Sequence, residues 1–460
     1  MGSKQRGLKL VARYPVLIAA FILFFISQAH ALEVRREIAP GRLTVLQVER
    51  HNLPVVRITL LIKASPLNEP ADKAGVAYLT SKLLDEGTAR RSSSDISSEV
   101  EFLGASLDAS ANSDFSSLSL SVLKKDIEKG FDLFSDVLLN PSFKQEELAR
   151  KKELLKGVLR QKEEDPAFVA EKTFIKEVFG SHPYGRLVEG SIESIDKITR
   201  DDIVRFYRSN YLPDNAILSV VGDLTPRELD SLLQKYLSGW SKRQHAPVAG
   251  GTSESTASGT ATPAGGKTVL VNKDITQATI ILGGLGISRS NPDYYAAQVM
   301  NYILGGGGFA SRLMKTVRDE MGLTYSINSA FIGNKEPGQF EVEVQTKNES
   351  SGAVINEIVK EMRLIQREPV TDQELSDAKA YLTGSFPRRL ETSRRIADFL
   401  AARQFYNLGD DYIEKYPEYI NKVTKEDIMR VAAKYLTPAD YKLVIVGNEK
   451  KLDLKSVDKR

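Results

Sequence analysis

Three histidines follow residue 31, at positions 51, 182 and 245, and no two of them stand four apart, the spacing that makes a helical metal pair. Cysteine is absent, so thiolate metal sites and disulfides are absent with it. His182, in Ser181-His182-Pro183-Tyr184-Gly185, reads as a structural turn residue held by hydrogen bonding, and His245 as a solvated linker residue. A second stretch with possible chemistry is Gly305-Gly306-Gly307-Gly308-Phe309-Ala310-Ser311-Arg312-Leu313. Four glycines suggest a phosphate loop, but no Lys-Ser/Thr ending follows, and the run comes after a helical pattern instead of a strand. Its plainer reading is a tight, mobile connection between two helices.

The elements that must position these residues come in two sets. At an offset of 225, Ile195, Lys197, Thr199, Asp202, Ile203, Arg205, Pro213, Leu218, Val221 and Gly222 recur as Ile420, Lys422, Thr424, Asp427, Ile428, Arg430, Pro438, Leu443, Val446 and Gly447. Thr199 and Thr424 read as helix N-caps, each followed by acidic residues, and each helix leads through a Pro-containing turn into a buried strand. Alternation at Ile58, Leu60 and Ile62, at Leu118, Leu120 and Val122, and at Phe340, Val342 and Val344 predicts strands with one buried face. Leu154, Leu155, Val158 and Leu159 predict one apolar helix face, and Ala296, Val299, Met300, Ile303 and Leu304 another. The fold class is therefore α+β, in two homologous domains, each a mainly antiparallel sheet packed with helices.

Charge and composition set the boundaries. A basic segment, an apolar run from Val16 to Ile26 and then Ala29-His30-Ala31 read as a signal peptide over residues 1–31, too short in its apolar part to span a membrane. With no Cys at the cleavage site there is no lipid anchor, and the expectation is an exported, periplasmic protein. The net charge of +3 includes Lys4, Arg6, Lys9 and Arg13, and falls to about −1 without them, so nothing in the charge favours nucleic acid. A Gly/Ser/Thr/Pro-rich linker over 241–267 separates an N-terminal domain (32–240) from a C-terminal domain (268–450), followed by a charged tail (451–460).

The stretch from Lys73 to Thr88, with Gly75, Ala77, Gly87 and Thr88 in register, resembles the signature helix of the insulinase-like zinc peptidases, family M16. In active members that helix runs Gly-x-Ala-His-x-x-Glu-His-x-x-x-x-Gly-Thr. The positions of its two zinc-binding His residues and of its general-base Glu hold Tyr78, Ser81 and Lys82 here. The later helix that carries the family's third ligand is matched by Lys156-Gly157-Val158-Leu159, without a carboxylate, ahead of Glu163-Glu164-Asp165-Pro166. An ammonium at a ligand position repels a metal cation, so the resemblance implies no metal and no cofactor in this chain.

In the second half, Gly305, Gly306, Gly307 and Gly308 with Arg318 and Tyr325 resemble the family's Gly-rich loop and Arg/Tyr pair. Gly322 is expected to end the helix carrying Arg318 in a left-handed cap, and Leu323-Thr324-Tyr325 to begin a strand. The resemblance gives the glycines and Arg318 to substrate binding, Arg318 to a substrate carbonyl and Tyr325 to the oxyanion. An always-charged fork and a neutral phenol donor suit those roles. A plainer expectation is that Arg318 pairs with a nearby acid and Tyr325 packs at a strand start. Small bacterial members of the family often work as pairs, and in some of these one subunit carries the zinc motif and the other the Arg/Tyr motif. This sequence fits the second type: a non-catalytic subunit whose partner, a zinc-motif-bearing M16 subunit, supplies the zinc in a heterodimer that cleaves peptides or unfolded polypeptides. The alternative is a peptide-binding or scaffold protein of the same fold with no part in proteolysis. The block Leu382-Thr383-Gly384-Ser385-Phe386-Pro387-Arg388-Arg389-Leu390, with Ile396-Ala397-Asp398, also resembles bacterial members and carries no assigned chemistry.

Overall fold

Alternating strands in each half build one sheet. In a computed structural model that describes residues 32–240, 266–455 and 457, the first half contributes β1 (Arg35–Ala39), β2 (Leu43–Glu49), β3 (Val55–Ile62), β4 (Ser106–Ala111), β5 (Ser116–Leu123) and β6 (Ala216–Gly222). They lie in the order β1-β2-β6-β3-β5-β4, and only β2 and β6 pair in parallel. The second half contributes β7 (Lys267–Asn272), β8 (Gln277–Leu285), β9 (Ile327–Phe331), β10 (Gln339–Lys347) and β11 (Lys442–Gly447), in the order β7-β11-β8-β10-β9. Here β7 and β11 are the parallel pair. Leaving out β1, the two orders are the same, so the repeat in the sequence is a repeat of topology.

The helices used below are α1 (Val76–Lys82), α2 (Gln145–Lys162), α3 (Pro166–Phe179), α4 (Arg200–Asn210), α5 (Tyr294–Asn301), α6 (Ser393–Phe405) and α7 (Lys425–Tyr435). Thr199 and Thr424 cap α4 and α7 in matching capping boxes, each hydroxyl accepting from the amide of the Asp three residues on. One face of each sheet is covered by its own half's helices, giving two separate cores.

The opposite faces are covered by exchange. From the first half, α3 packs Val169, Ala170, Phe174 and Val178 against Ile281, Val444 and Val446 of the second sheet. From the second half, α6 packs Ile396, Ala397, Leu400 and Phe405 against Leu46, Leu61, Ile217 and Val221 of the first. Each such buried side chain contributes about 1.5–3 kcal/mol, so the halves hold one another through two apolar contacts. Buried Asp114 adds a polar tie, accepting from the hydroxyls of Tyr184 and Tyr406 (the latter at 2.7 Å) and from the amide of Lys335 at 3.0 Å.

Two boundaries and one helix face differ from the sequence reading. Lys267 is already in β7, because its pairing with Lys442 starts the parallel ladder, so the linker expected through 267 ends earlier. Leu452, Leu454 and Val457 of the charged tail lie against the second core. On α2 only Leu155 and Leu159 of the expected four are buried; Leu154 and Val158 are 55% and 45% exposed, since the helix seats a stripe narrower than the apolar residues offer. The signal peptide, His245 and the linker up to residue 265 lie outside the described residues. No helix among the described residues is long and apolar enough to cross a membrane.

Candidate functional site

The first half places the degenerate motif on α1. That helix has no side-chain cap of its own; the buried carboxylate of Glu69 accepts from the amides of Gly75 (3.2 Å) and Ala77 (2.8 Å) instead. Gly75 has φ +97, and a Cβ there would come within 2.5 Å of the Glu189 carbonyl oxygen, so the entry to the helix is fixed by close packing. Tyr78 is half-buried, Ser81 donates its hydroxyl to the Tyr78 carbonyl at 2.7 Å, and Lys82 donates its ammonium to the Ala109 carbonyl of β4 at 2.5 Å. The same ammonium stands 5.9 Å from the centre of the Tyr78 ring.

At the position matching the third ligand's helix, Lys156 pairs with Glu153 and with Asp196 at 2.6 and 2.8 Å. A Lys ammonium has no lone pair to offer a cation, and the Ser81 hydroxyl is already spent within the helix. These residues do not fit a zinc ion. Among the described residues no group of three or more His, Asp or Glu is placed to hold a metal. His182 serves the turn: its Nδ1 accepts from the Tyr184 amide at 3.2 Å, its ring packs on Tyr184, and burial lowers its pKa.

Burial pushes the Glu69 carboxyl up to about 7 against the pull of its backbone donors, and burial does the same to Glu341 on β10. For a carboxyl raised in this way the folded state binds the proton more tightly than the unfolded chain. Its stabilising contribution is complete below about 4.5 and is lost as pH rises through about 7. Urea unfolding of the wild type at pH 5 and pH 8 should therefore show a loss on the order of 2–3 kcal/mol attributable to Glu69. Glu69→Gln should remove that part of the slope. Parallel slopes for the two proteins would contradict the assignment.

The second half builds the other motif from irregular helix. After α5 comes a π-helical turn, Tyr302–Gly306, and after the loop a second one, Met314–Glu320, which carries Arg318. Such turns are rare and cluster at functional sites. The glycines between them have separate reasons. A Cβ on Gly305 would lie 2.5 Å from Ser329 Oγ, on Gly306 2.5 Å from Asn301 Nδ2, and on Gly307 2.6 Å from the Tyr302 carbonyl oxygen. The end of α5 is tied to β9, where Asn301 Nδ2 donates to Ser329 O (3.1 Å) and Ser329 Oγ donates to Asn301 Oδ1 (2.8 Å), and Gly305 and Gly306 lie against this pair. Gly305 is buried, whereas Gly306, Gly308, Phe309 and Ala310 are exposed.

Gly322, at φ +66, ends the helical segment as its type predicts. The strand does not begin at Leu323-Thr324-Tyr325, however, but at Ile327. Thr324 explains the delay: its hydroxyl accepts from the Ser326 amide (3.1 Å) and has the carbonyls of Ser326 and Gln345 in reach of its single proton, closing a local turn where a ladder bond would stand. Tyr325 is thereby held outward, 89% exposed, and does not pack. Arg318 donates to Asp319 Oδ1 at 2.7 Å and lies 4.9 Å from the centre of the Phe309 ring, while its side chain remains 36% exposed. Among the described residues no hydrogen bond joins Arg318 to Tyr325. Both donors stand at the surface, Arg318 beside Phe309 of the exposed loop. Phe309, 72% exposed and stacked by Arg318, was not singled out from the sequence; a large apolar residue inside a glycine run is the signal that could have found it.

Residues 44–190 match the family model described as insulinase (peptidase family M16), and residues 197–382 the model described as peptidase M16 inactive domain, together more than half of the chain. An uncharacterized zinc protease of Mycobacterium bovis is 26% identical over 419 residues, covering 91% of this chain and 94% of its own length. A non-peptidase homolog of Helicobacter pylori is 27% identical over 438 residues, covering 93% and 97%. The solved peptidase M16 inactive domain from Pseudomonas fluorescens has a TM-score of 0.81 at 29% identity, covering 91% of this chain and 98% of that one.

Proposed function

We propose that this chain, which belongs to the M16 peptidase family and lacks its zinc motif, is the non-catalytic, substrate-binding subunit of an exported heterodimeric zinc endopeptidase. The zinc and the general base come from a motif-bearing partner. This chain supplies Arg318 to hold a carbonyl oxygen of the bound peptide and Tyr325 to donate its hydroxyl to the oxyanion formed when the peptide bond is attacked. The observation that supports the reading is that Tyr325 stands 89% exposed in the turn closed by Thr324, its phenol free to meet a ligand, while the position of the lost zinc ligand is filled by Lys82 bonded to Ala109. The name of the Helicobacter pylori relative, a non-peptidase homolog, supports the non-catalytic half of the proposal.

The test is hydrolysis of a quenched fluorescent peptide by the mature chain, by the zinc-motif M16 protein of the same source, and by their mixture. Activity mainly in the mixture is the expected result. A mixture no faster than the zinc-bearing protein alone would move the chain to the scaffold class.

A further inference from the structure

On β3 the side chains of Val56, Ile58, Leu60 and Ile62 enter the first core, which turns Arg57 and Thr59 to the opposite face. There α6 covers the strands on one side of Arg57, and on the other side β5 presents Ser121 directly across from Arg57 and Ser119 across from Thr59. Arg57 is only 4% exposed, yet among the described residues no carboxylate lies within ion-pair distance of it and its Nε meets no acceptor. Asp398 of α6, the carboxylate whose charge bears on it most, is otherwise engaged: it accepts from Thr59 Oγ1 at 2.7 Å and faces Arg394 at 3.9 Å. On the same face the hydroxyl of Ser219, paired across from Thr59, is fully buried and also without a partner.

A guanidinium whose Nε is buried without an acceptor and whose charge has no ion-pair partner is destabilising, and an apolar side chain of similar shape would relieve the fold of it. Such a group is useful where a ligand brings its partner. We propose that Arg57 recognises a carboxylate of the bound peptide, an acidic side chain or the C-terminus, laid over the Ser119 and Ser121 side of the sheet. The planar fork suits a carboxylate bidentately, with serine hydroxyls as further donors.

This inference rests on the peptide-binding reading, and its test separates the two. Fluorescence anisotropy would compare three labelled peptides on the full mature chain: a neutral one with Gln and a C-terminal amide, its Gln-to-Glu counterpart, and the neutral sequence with a free C-terminal carboxylate. The wild type should prefer one of the charged peptides by about tenfold or more, and which one identifies the source of the carboxylate. Arg57→Met should bind all three as the wild type binds the neutral peptide, and should unfold at an equal or higher temperature. Arg57→Lys, a point charge without the fork, should keep only part of the preference. Equal binding of charged and neutral peptides by the wild type, a preference that survives in Arg57→Met, or a large drop in the unfolding temperature of Arg57→Met would each overturn the assignment while leaving peptide binding intact. If none of the three peptides binds, the peptide-binding reading fails and this inference fails with it.

Discussion

Tyr325→Phe should lower the turnover of the proposed two-subunit enzyme by about 100-fold or more while changing its KM little. Removing one hydroxyl deletes a donor that acts only when charge develops on the carbonyl oxygen, so the loss belongs to the transition state and not to substrate affinity. The side chain is 89% exposed, and its position comes from the turn of Thr324, which the substitution leaves untouched. Folding and assembly should therefore survive, and the effect can be read as chemistry. Arg318→Ala should behave differently, raising KM as well as lowering turnover, because a carbonyl held in the ground state is also held in the transition state. Arg318 must first leave Asp319, a neighbour at the surface that binds it weakly. Single-turnover and steady-state rates of the mixed subunits measure both variants. Unchanged turnover in Tyr325→Phe would remove the oxyanion role while leaving binding to Arg318 and the loop.

Much of this arrangement was legible from residue types. The repeat at offset 225 foretold two α+β halves, and the matching capping boxes at Thr199 and Thr424 and the shared strand order follow from it. Periodicity, however, says which face of an element is buried and not what buries it. The apolar residues of α3 and α6 could be read as helical faces, but nothing local told that each helix covers the other half's sheet. Leu154 and Val158 show the same limit in reverse, since they continue an apolar pattern yet stay at the surface.

At the candidate site the resemblance to the family's signature helix marked Tyr78, Ser81 and Lys82 as the positions of its ligands and base, and chemistry then showed that these residue types cannot serve. The delayed start of β9 was not, because Thr324 is a good strand residue whose hydroxyl happens to capture Gln345 O, a contact set by β10. The π-helical turns were equally hidden, as one extra residue in a helical turn leaves no mark in composition. Arg57 stands in an alternating strand as any outward polar residue would; only α6, from far along the chain, makes it buried.

The largest expected effect on stability is at Asp114. Asp114→Ala should cost about 3–5 kcal/mol, because it strips the acceptor from the buried Tyr184 hydroxyl, the half-buried Tyr406 hydroxyl and one backbone amide at once. The bonds it removes join four segments: the turn before β5, the turn at Tyr184, the stretch around Lys335 and the residue after α6. Two of these belong to each half of the chain. The apolar contacts of α3 and α6 would remain, so the loss should weaken the joint without abolishing the halves themselves. The tyrosines carry a signature of the same network, since burial and the neighbouring carboxylate hold the hydroxyls of Tyr184 and Tyr406 well above their usual range. Tyr406→Phe alone should cost less, because it removes one bond and keeps the acid paired with Tyr184. In a double-mutant cycle the two substitutions should be non-additive by about 1 kcal/mol or more, as expected for groups sharing one network. Urea unfolding of the four proteins decides it: additive losses, or a loss for Asp114→Ala near that of a surface change, would show that the exchanged helices alone hold the halves in register.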